Sequence, residues 1–208
     1  MGVYELSGAG SLKTPRTVYS SMNANNQYGA MVPINHRVLT STQNTILFSN
    51  IPQNYQDLFC VASGRSDGAY TTGSITFYLN VDSGASSTAG YSVTNLIGDG
   101  ANATSARGTT ASPVFGFSLA DGRAVPAASS TSGVFASYEL NVLNYANTST
   151  FKTGLIRVAN DLNGSGISAL GACLWQNTSA ISSIMLATNA NWVAGTTMTL
   201  YGIRAANS

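Results

Sequence analysis

The chain has 208 residues, 44% of them hydrophobic and only 8% charged, with a net charge of +1. That is apolar material enough for a folded core, which argues against wholesale disorder, and a length that a single all-β domain can reach. Charge far below the usual ~25%, with its basic residues scattered singly, offers no patch for phosphate binding and excludes nucleic acid as a partner; a surface so neutral suits life inside an assembly.

The first ten residues have no basic segment followed by an apolar run, so no signal peptide is expected there. Leu6 stands where the myristoylation pattern wants Ser or Thr. No run approaches 18 apolar residues, so no membrane span is expected. Residues 1–40 differ in kind from the rest: small, polar and turn-forming residues prevail, without a sustained period. Yet apolar and aromatic side chains recur too often for a flexible linker. This stretch reads as an extended arm that folds against a partner or a neighbouring subunit. Lys13 and Arg16 are its charged anchors, and Tyr19, Met22, Tyr28 and Met31 the candidates for burial in the partner.

The domain, residues 41–208, opens on a strand, a turn and a second strand over Thr45–Arg65. Ile46 and Phe48 alternate with Thr45, Leu47 and Ser49, a period of two. Pro52 then breaks the ladder, because it has no amide hydrogen to donate, and Leu58–Ala62 resumes as an apolar run. Ser74–Asn80 and Tyr91–Ile97 are further strand candidates, and Val114–Leu119 is a short apolar segment. Residues 82–90, 99–112 and 121–133 are rich in turn formers and read as long loops. In the segment 133–146, Val134, Ala136, Tyr138, Leu140 and Val142 fall on one face, and Phe135, Ser137, Glu139, Asn141 and Leu143 on the other. One face on a core and one partly solvated is the expected arrangement. Strands starting at Phe151, Ile167, Ile181 and Thr196 follow at intervals of 14 to 16 residues, with Asn, Gly and Asp in the gaps. Regular short strands with polar turns predict an all-β fold, an antiparallel jelly-roll-like β-sandwich of about eight to ten strands. Trp175 and Trp192 are expected to bury large area at one end of it, and Tyr145 to cover a sheet edge.

No catalytic constellation is found. His36 is the sole histidine, and a hydrolytic triad would have to use it. Cys60, Cys173 and His36 together fall short of the four ligands of a structural zinc site. Both cysteines sit in strand-like apolar runs and read as buried thiols, with a disulfide between them as the alternative. Most carboxylates stand beside Gly or Ser in turns, as Asp67, Asp82, Asp99 and Asp121 do, which accounts for them; calcium held by such loops is the weaker reading. Glu139, in mid-strand, reads as solvated or paired with an arginine across the sheet. Gly164-Ser165-Gly166 lacks the third glycine and the helix of a dinucleotide site. Four asparagines, Asn102, Asn147, Asn163 and Asn177, stand in sequons, as many as chance provides. Neither a cofactor nor a metal is expected.

Four segments carry a resemblance. They are Ile-Pro-x-x-Tyr-x-Asp-Leu at Ile51–Leu58, a Leu-x-Asn-Tyr-x-Asn-Thr-like stretch ending at Thr148, Leu-Trp-x-x-Thr-x-x-Ile at Leu174–Ile181, and Thr-x-x-Leu-Tyr-Gly-Ile at Thr197–Ile203. Over residues 44–203 the chain resembles a family of tailed-bacteriophage virion structural proteins. The resemblance implies a jelly-roll-like sandwich displayed on a phage head or tail, without enzymatic activity; the arm lies outside the shared pattern. The leading expectation is a capsid decoration or cement protein, incorporated into virions assembled in the host cytoplasm. Its partners would be the major capsid or tail protein of the same virion and further copies of itself, first as a trimer. The alternatives are a tail-fibre or receptor-binding module reaching the host through its long loops, and a free carbohydrate-binding jelly roll.

Overall fold

The computed structural model describes residues 31–81, 90–108 and 123–205. All described regular elements are strands, and every pairing between them is antiparallel. In chain order they are β1 (Met31–Val38), β2 (Gln43–Phe48), β3 (Asp57–Gly64), β4 (Thr72–Gly73), β5 (Ile75–Leu79), β6 (Tyr91–Gly98), β7 (Ala103–Gly108), β8 (Val125–Pro126), β9 (Ala136–Leu143), β10 (Lys152–Asp161), β11 (Gly166–Trp175), β12 (Ile184–Trp192) and β13 (Thr197–Ile203). Eight form one sheet in the order β1-β13-β3-β9-β10-β11-β6-β7; three form a second, β2-β12-β5; β4 and β8 make a short third. The fold is an all-β sandwich, and a lopsided one, with eight strands over three.

One continuous core joins the layers. Ile46, Phe48, Ile75, Phe77, Leu79, Ile184 and Leu186 of the small sheet belong to the same cluster as Leu58, Tyr138, Leu140, Val142, Ile156 and Val158 of the large one. Fully burying each such side chain contributes about 1.5–3 kcal/mol. The period of two read from the sequence is what aims them: in β10, residues alternate strictly between buried and exposed from Lys152 to Asp161.

Several expectations shift. The sheet begins at Met31, ten residues before the boundary expected at 41, because Met31–Val38 pairs with β13 along its length. That strand is an edge, and it carries edge features: Pro33, a register break between Pro33 and Asn35, and exposed His36 and Arg37. The loop expected over 99–112 contains β7, which extends the sheet beside β6; its Thr, Ser and Ala residues gave no apolar alternation to read. Asp99-Gly100-Ala101-Asn102 is the turn between them, closed by Asp99 Oδ1 accepting from the amides of Ala101 and Asn102. β12 starts at Ile184, not Ile181. The two tryptophans lie at opposite ends of the large sheet's span. Trp175 pairs across from Lys152, whereas Trp192 packs edge-on against Tyr138, the partner of Val158, about 20 Å along the same strand. Tyr145 is wholly buried rather than covering an edge. Val114–Leu119 lies outside the described residues, as do 82–89, 109–122, 206–208 and most of the arm.

Candidate functional site: the outer face of the large sheet

The four motif segments meet at one corner of the sandwich. The turn at Ile51–Leu58 is pinned by Ile51 N–H donating to Ser182 O at 2.9 Å. Gln53 Nε2 donates to the carbonyls of Ile51 and Ile181 at 2.7 and 2.9 Å. Tyr145 donates its phenol O–H to Pro52 O and accepts at its carbonyl from Ile181 N–H. Asp57 Oδ1 accepts from Asn144 N–H at 2.8 Å, and Gln56 N–H donates to Ile203 O at 2.7 Å. Asn144 itself adopts φ 50°, a left-handed conformation that asparagine tolerates. These segments are thus joints of the fold: the hydrogen bonds of Gln53, Tyr145 and Asp57 go to backbone groups of one another's segments.

Two cations are used the same way. Lys152, fully buried at the start of β10, gives its ammonium to three carbonyls, those of Asn147 (2.5 Å), Thr150 (2.9 Å) and Thr178 (3.0 Å). Arg65 donates to the carbonyls of Ala127, Thr131 and Val134 at 2.6, 2.8 and 3.2 Å and to Ser130 Oγ at 3.0 Å. Each cation gathers a loop that would otherwise leave carbonyls unpaired. Sequence reasoning missed both, because a lone Lys or Arg beside an apolar run looks like a solvated charge.

The residues weighed for chemistry are scattered. His36 is exposed on the edge strand, its Nδ1 2.7 Å from Thr199 Oγ1. Glu139 pairs across the sheet with Arg157 at 3.3 Å, as its mid-strand position suggested. Cys60 and Cys173 are buried free thiols; burial holds both in the protonated form, Cys173 pushed up to about 12 and Cys60 further. Asp67 is held below the ordinary aspartate range by hydrogen bonds from the side chain and backbone of Asn191. Asp99 is held low by the amides of Asn102 and Ala101 and by Arg123, 3.0 Å away. Among the described residues no group of three or more His, Cys, Asp or Glu converges on a metal position. Of the arm residues, Met31 opens β1 opposite Ile203 and is exposed; Lys13, Arg16, Tyr19, Met22 and Tyr28 lie outside the described residues.

The feature that stands out is a surface. In the strands β3, β9, β10, β11 and β6 the side chains facing away from the core would all be polar if water were their permanent neighbour. Many are not: leucines, Phe59 and Val61 stand there among Ser, Thr, Asn and charged residues. Register aligns them in rows across the sheet. One row runs Val61, Glu139, Arg157, Leu170, Leu96; the next, Phe59, Asn141, Leu155, Ala172, Thr94; a third, Leu143, Thr153, Leu174, Ser92. Leu96 is 58% exposed, Leu155 49%, Leu170 44% and Leu143 41%. Glu139 and Arg157 face each other at 3.3 Å; Arg107 of β7 extends the row of Thr94, and Asp161 stands exposed at the end of β10. Six residues of rise and five strands give a face of about 20 by 24 Å. Polar residues take up part of that area, so its apolar share is smaller than the face; removing apolar surface from water contributes roughly 25 cal/mol per Å², which favours covering the leucines. A signal was present in the sequence: in Ala169-Leu170-Gly171-Ala172-Cys173-Leu174 both faces of the strand are apolar or small, the pattern of a sheet covered on both sides, whereas in Leu155-Ile156-Arg157-Val158-Ala159 Arg157 interrupts the outer face.

Compared with protein-family models, curated proteins and solved structures, the chain gives no match.

Proposed function

We propose that this chain is a non-enzymatic structural protein of a tailed-bacteriophage virion, a capsid decoration or cement protein attached through its N-terminal arm and self-associated into a homo-oligomer. The observation that carries the structural role is the group of half-exposed leucines on the outer face of the large sheet, beside motif segments whose hydrogen bonds tie the fold to itself. A face of that kind fits an assembly subunit better than an enzyme or a sugar-binding module, which would need convergent polar groups in a cleft. The virion context comes from the four motif segments and their resemblance to phage structural proteins. Of the loops that a receptor-binding module would use, 103–108 is a sheet strand and 123–134 is tied down by Arg65, which favours decoration over host contact.

The test is to quantify the chain in purified virions of the phage that encodes it and to locate it by labelling. Stoichiometry on the scale of the shell subunits, with label over the head, supports the reading. A few copies confined to the tail, or absence from the particle, overturns it. Hydrolysis of capsular polysaccharide or peptidoglycan by the purified chain would overturn the non-enzymatic part.

A further inference from the structure

We infer that Asn163-Gly164 is a deamidation site held shut by the fold, and that Asp161 is the residue that holds it. The inference concerns a covalent change in the chain itself and stands apart from the virion reading.

Asn163-Gly164 is the one Asn-Gly pair in the sequence. The reaction open to such a pair needs only water. The amide nitrogen of Gly164 loses its proton and attacks the side-chain Cγ of Asn163. A five-membered succinimide forms, and Asn163 Nδ2 leaves with that proton as ammonia. Water then opens the ring at either carbonyl, giving aspartate or, with the backbone rerouted through the side chain, isoaspartate. Glycine is the successor that hinders the attack least, because it has no Cβ and reaches the required backbone angles freely.

Exposure alone would leave the pair reactive, since Asn163, Gly164 and Ser165 are exposed at the tip of the β10–β11 hairpin. The geometry of the tip opposes it. Asn163 has φ 65° and Gly164 φ 93°, the two left-handed residues of a tight hairpin turn. Leu162 N–H donates to Ser165 O at 2.5 Å across that turn. Leu162 is itself buried, and its carbonyl accepts from Thr131 Oγ1 at 3.1 Å. Most directly, Gly164 N–H donates to Asp161 Oδ1 at 3.1 Å. That bond occupies the proton the reaction must lose and aims the amide away from Asn163 Cγ. A carboxylate is far too weak a base to remove an amide proton, so the contact restrains the nitrogen instead of activating it. Either product adds a carboxylate near that of Asp161 and cancels the chain's net charge of +1. Isoaspartate also lengthens the backbone within a two-residue turn.

The experiment incubates the full chain and its Asp161→Ala and Asp161→Asn variants in mildly alkaline buffer, folded and in guanidinium chloride. Peptide mapping follows aspartate and isoaspartate at position 163, and ion exchange follows the loss of charge. The folded parent should react at Asn163 at least about tenfold more slowly than the unfolded parent. Asp161→Ala should react about tenfold faster than the parent when both are folded, the loss of one hydrogen bond to a charged group. Asp161→Asn, which keeps an acceptor oxygen, should stay within about threefold of the parent. Unfolded, all three should react alike. A folded parent as fast as the unfolded chain overturns the inference, and so does an Asp161→Ala rate equal to the parent's. A slower Asp161→Ala overturns it too, because Asp161 would then be assisting the attack. Should Asp161→Ala fail to fold, Asp161→Asn decides: a rate below the folded parent's overturns the inference.

Discussion

Tyr55 packs its ring directly on the backbone of Gly202, so closely that a Cβ at Gly202 would stand 2.3 Å from Tyr55 Cγ. The contact joins the first motif segment to the last, the Ile-Pro turn to the closing strand. Gly202→Ala should therefore destabilise the fold by about 1–3 kcal/mol through overpacking, read as a lowered urea midpoint. Tyr55→Ala in the same chain should make the alanine nearly neutral relative to Tyr55→Ala alone. An unchanged midpoint for Gly202→Ala would show that the ring moves aside freely.

Lys152 is expected to resist every replacement. Lys152→Met removes the ammonium that ties the carbonyls of Asn147, Thr150 and Thr178 together; these residues are exposed and water can replace part of the loss, so a destabilisation of about 1–3 kcal/mol in all is expected. Lys152→Arg keeps the charge but not the compact ammonium that three converging carbonyls accept, and should also lower the melting temperature. A Met variant as stable as the parent would refute the role given to this cation.

Acid should weaken the protein through Asp67 and Asp99. Both carboxyls are held below the ordinary aspartate value in the fold, so the folded state releases these protons more readily than the unfolded chain. Their contribution is complete above about pH 3.9, the unfolded value, and is lost as pH falls through the lowered folded values. Melting temperature should drop across that window, and Asp99→Asn and Asp67→Asn should each flatten the drop. A pH profile identical in all three proteins would rule the assignment out.

The two thiols provide a probe of opening. With Cys60 and Cys173 buried and held protonated, neither should react with an aromatic disulfide reagent at neutral pH in the folded protein. Both should react at once in denaturant. Rapid reaction of one thiol under native conditions would reveal local opening at β3 or β11.

Residues 1–30 and 1–40 should behave differently on deletion. Removing 1–30 leaves β1 in place and should leave a cooperatively folding domain that no longer attaches to the particle. Removing 1–40 strips β1 from β13 and bares the ladder edge that Met31–Val38 covers; aggregation is the expected result. Undiminished particle binding by the shorter deletion would transfer attachment from the arm to the sandwich.

Much of the fold was legible because period-two alternation is strong wherever one face is apolar and the other polar, as in β9, where Ala136, Tyr138, Leu140 and Val142 point inward. It failed where side chains are small and polar on both faces: β7 looks like a loop, and only its backbone pairing with β6 makes it a strand. The start of the domain was missed for a related reason, since Pro33 and the register break beside it obscure the alternation of β1. The apolar outer face was written in β10 and β11, but one strand cannot say which of its two apolar faces is the core. That distinction required knowing that the second sheet lies against Ile156 and Val158 and leaves Leu155 outside. The roles of Lys152 and half-buried Arg65 were illegible, because the carbonyls they reach converge only once the chain has folded back, Thr178 onto Lys152 and residues 127–134 onto Arg65.

Pairing of Met31 with Ile203 fixes how the domain would bear a load. If residues 1–30 tether it to a particle, tension enters at the first residue of β1, an edge strand held by β13 alone. Pulled along the strand, the whole β1–β13 ladder resists together, in shear. Pulled outward from the sheet, the same hydrogen bonds are met singly from Met31 onward, and the strand unzips at small force. Decoration that survives a pressurised shell therefore calls for a tether leaving Met31 in line with β1.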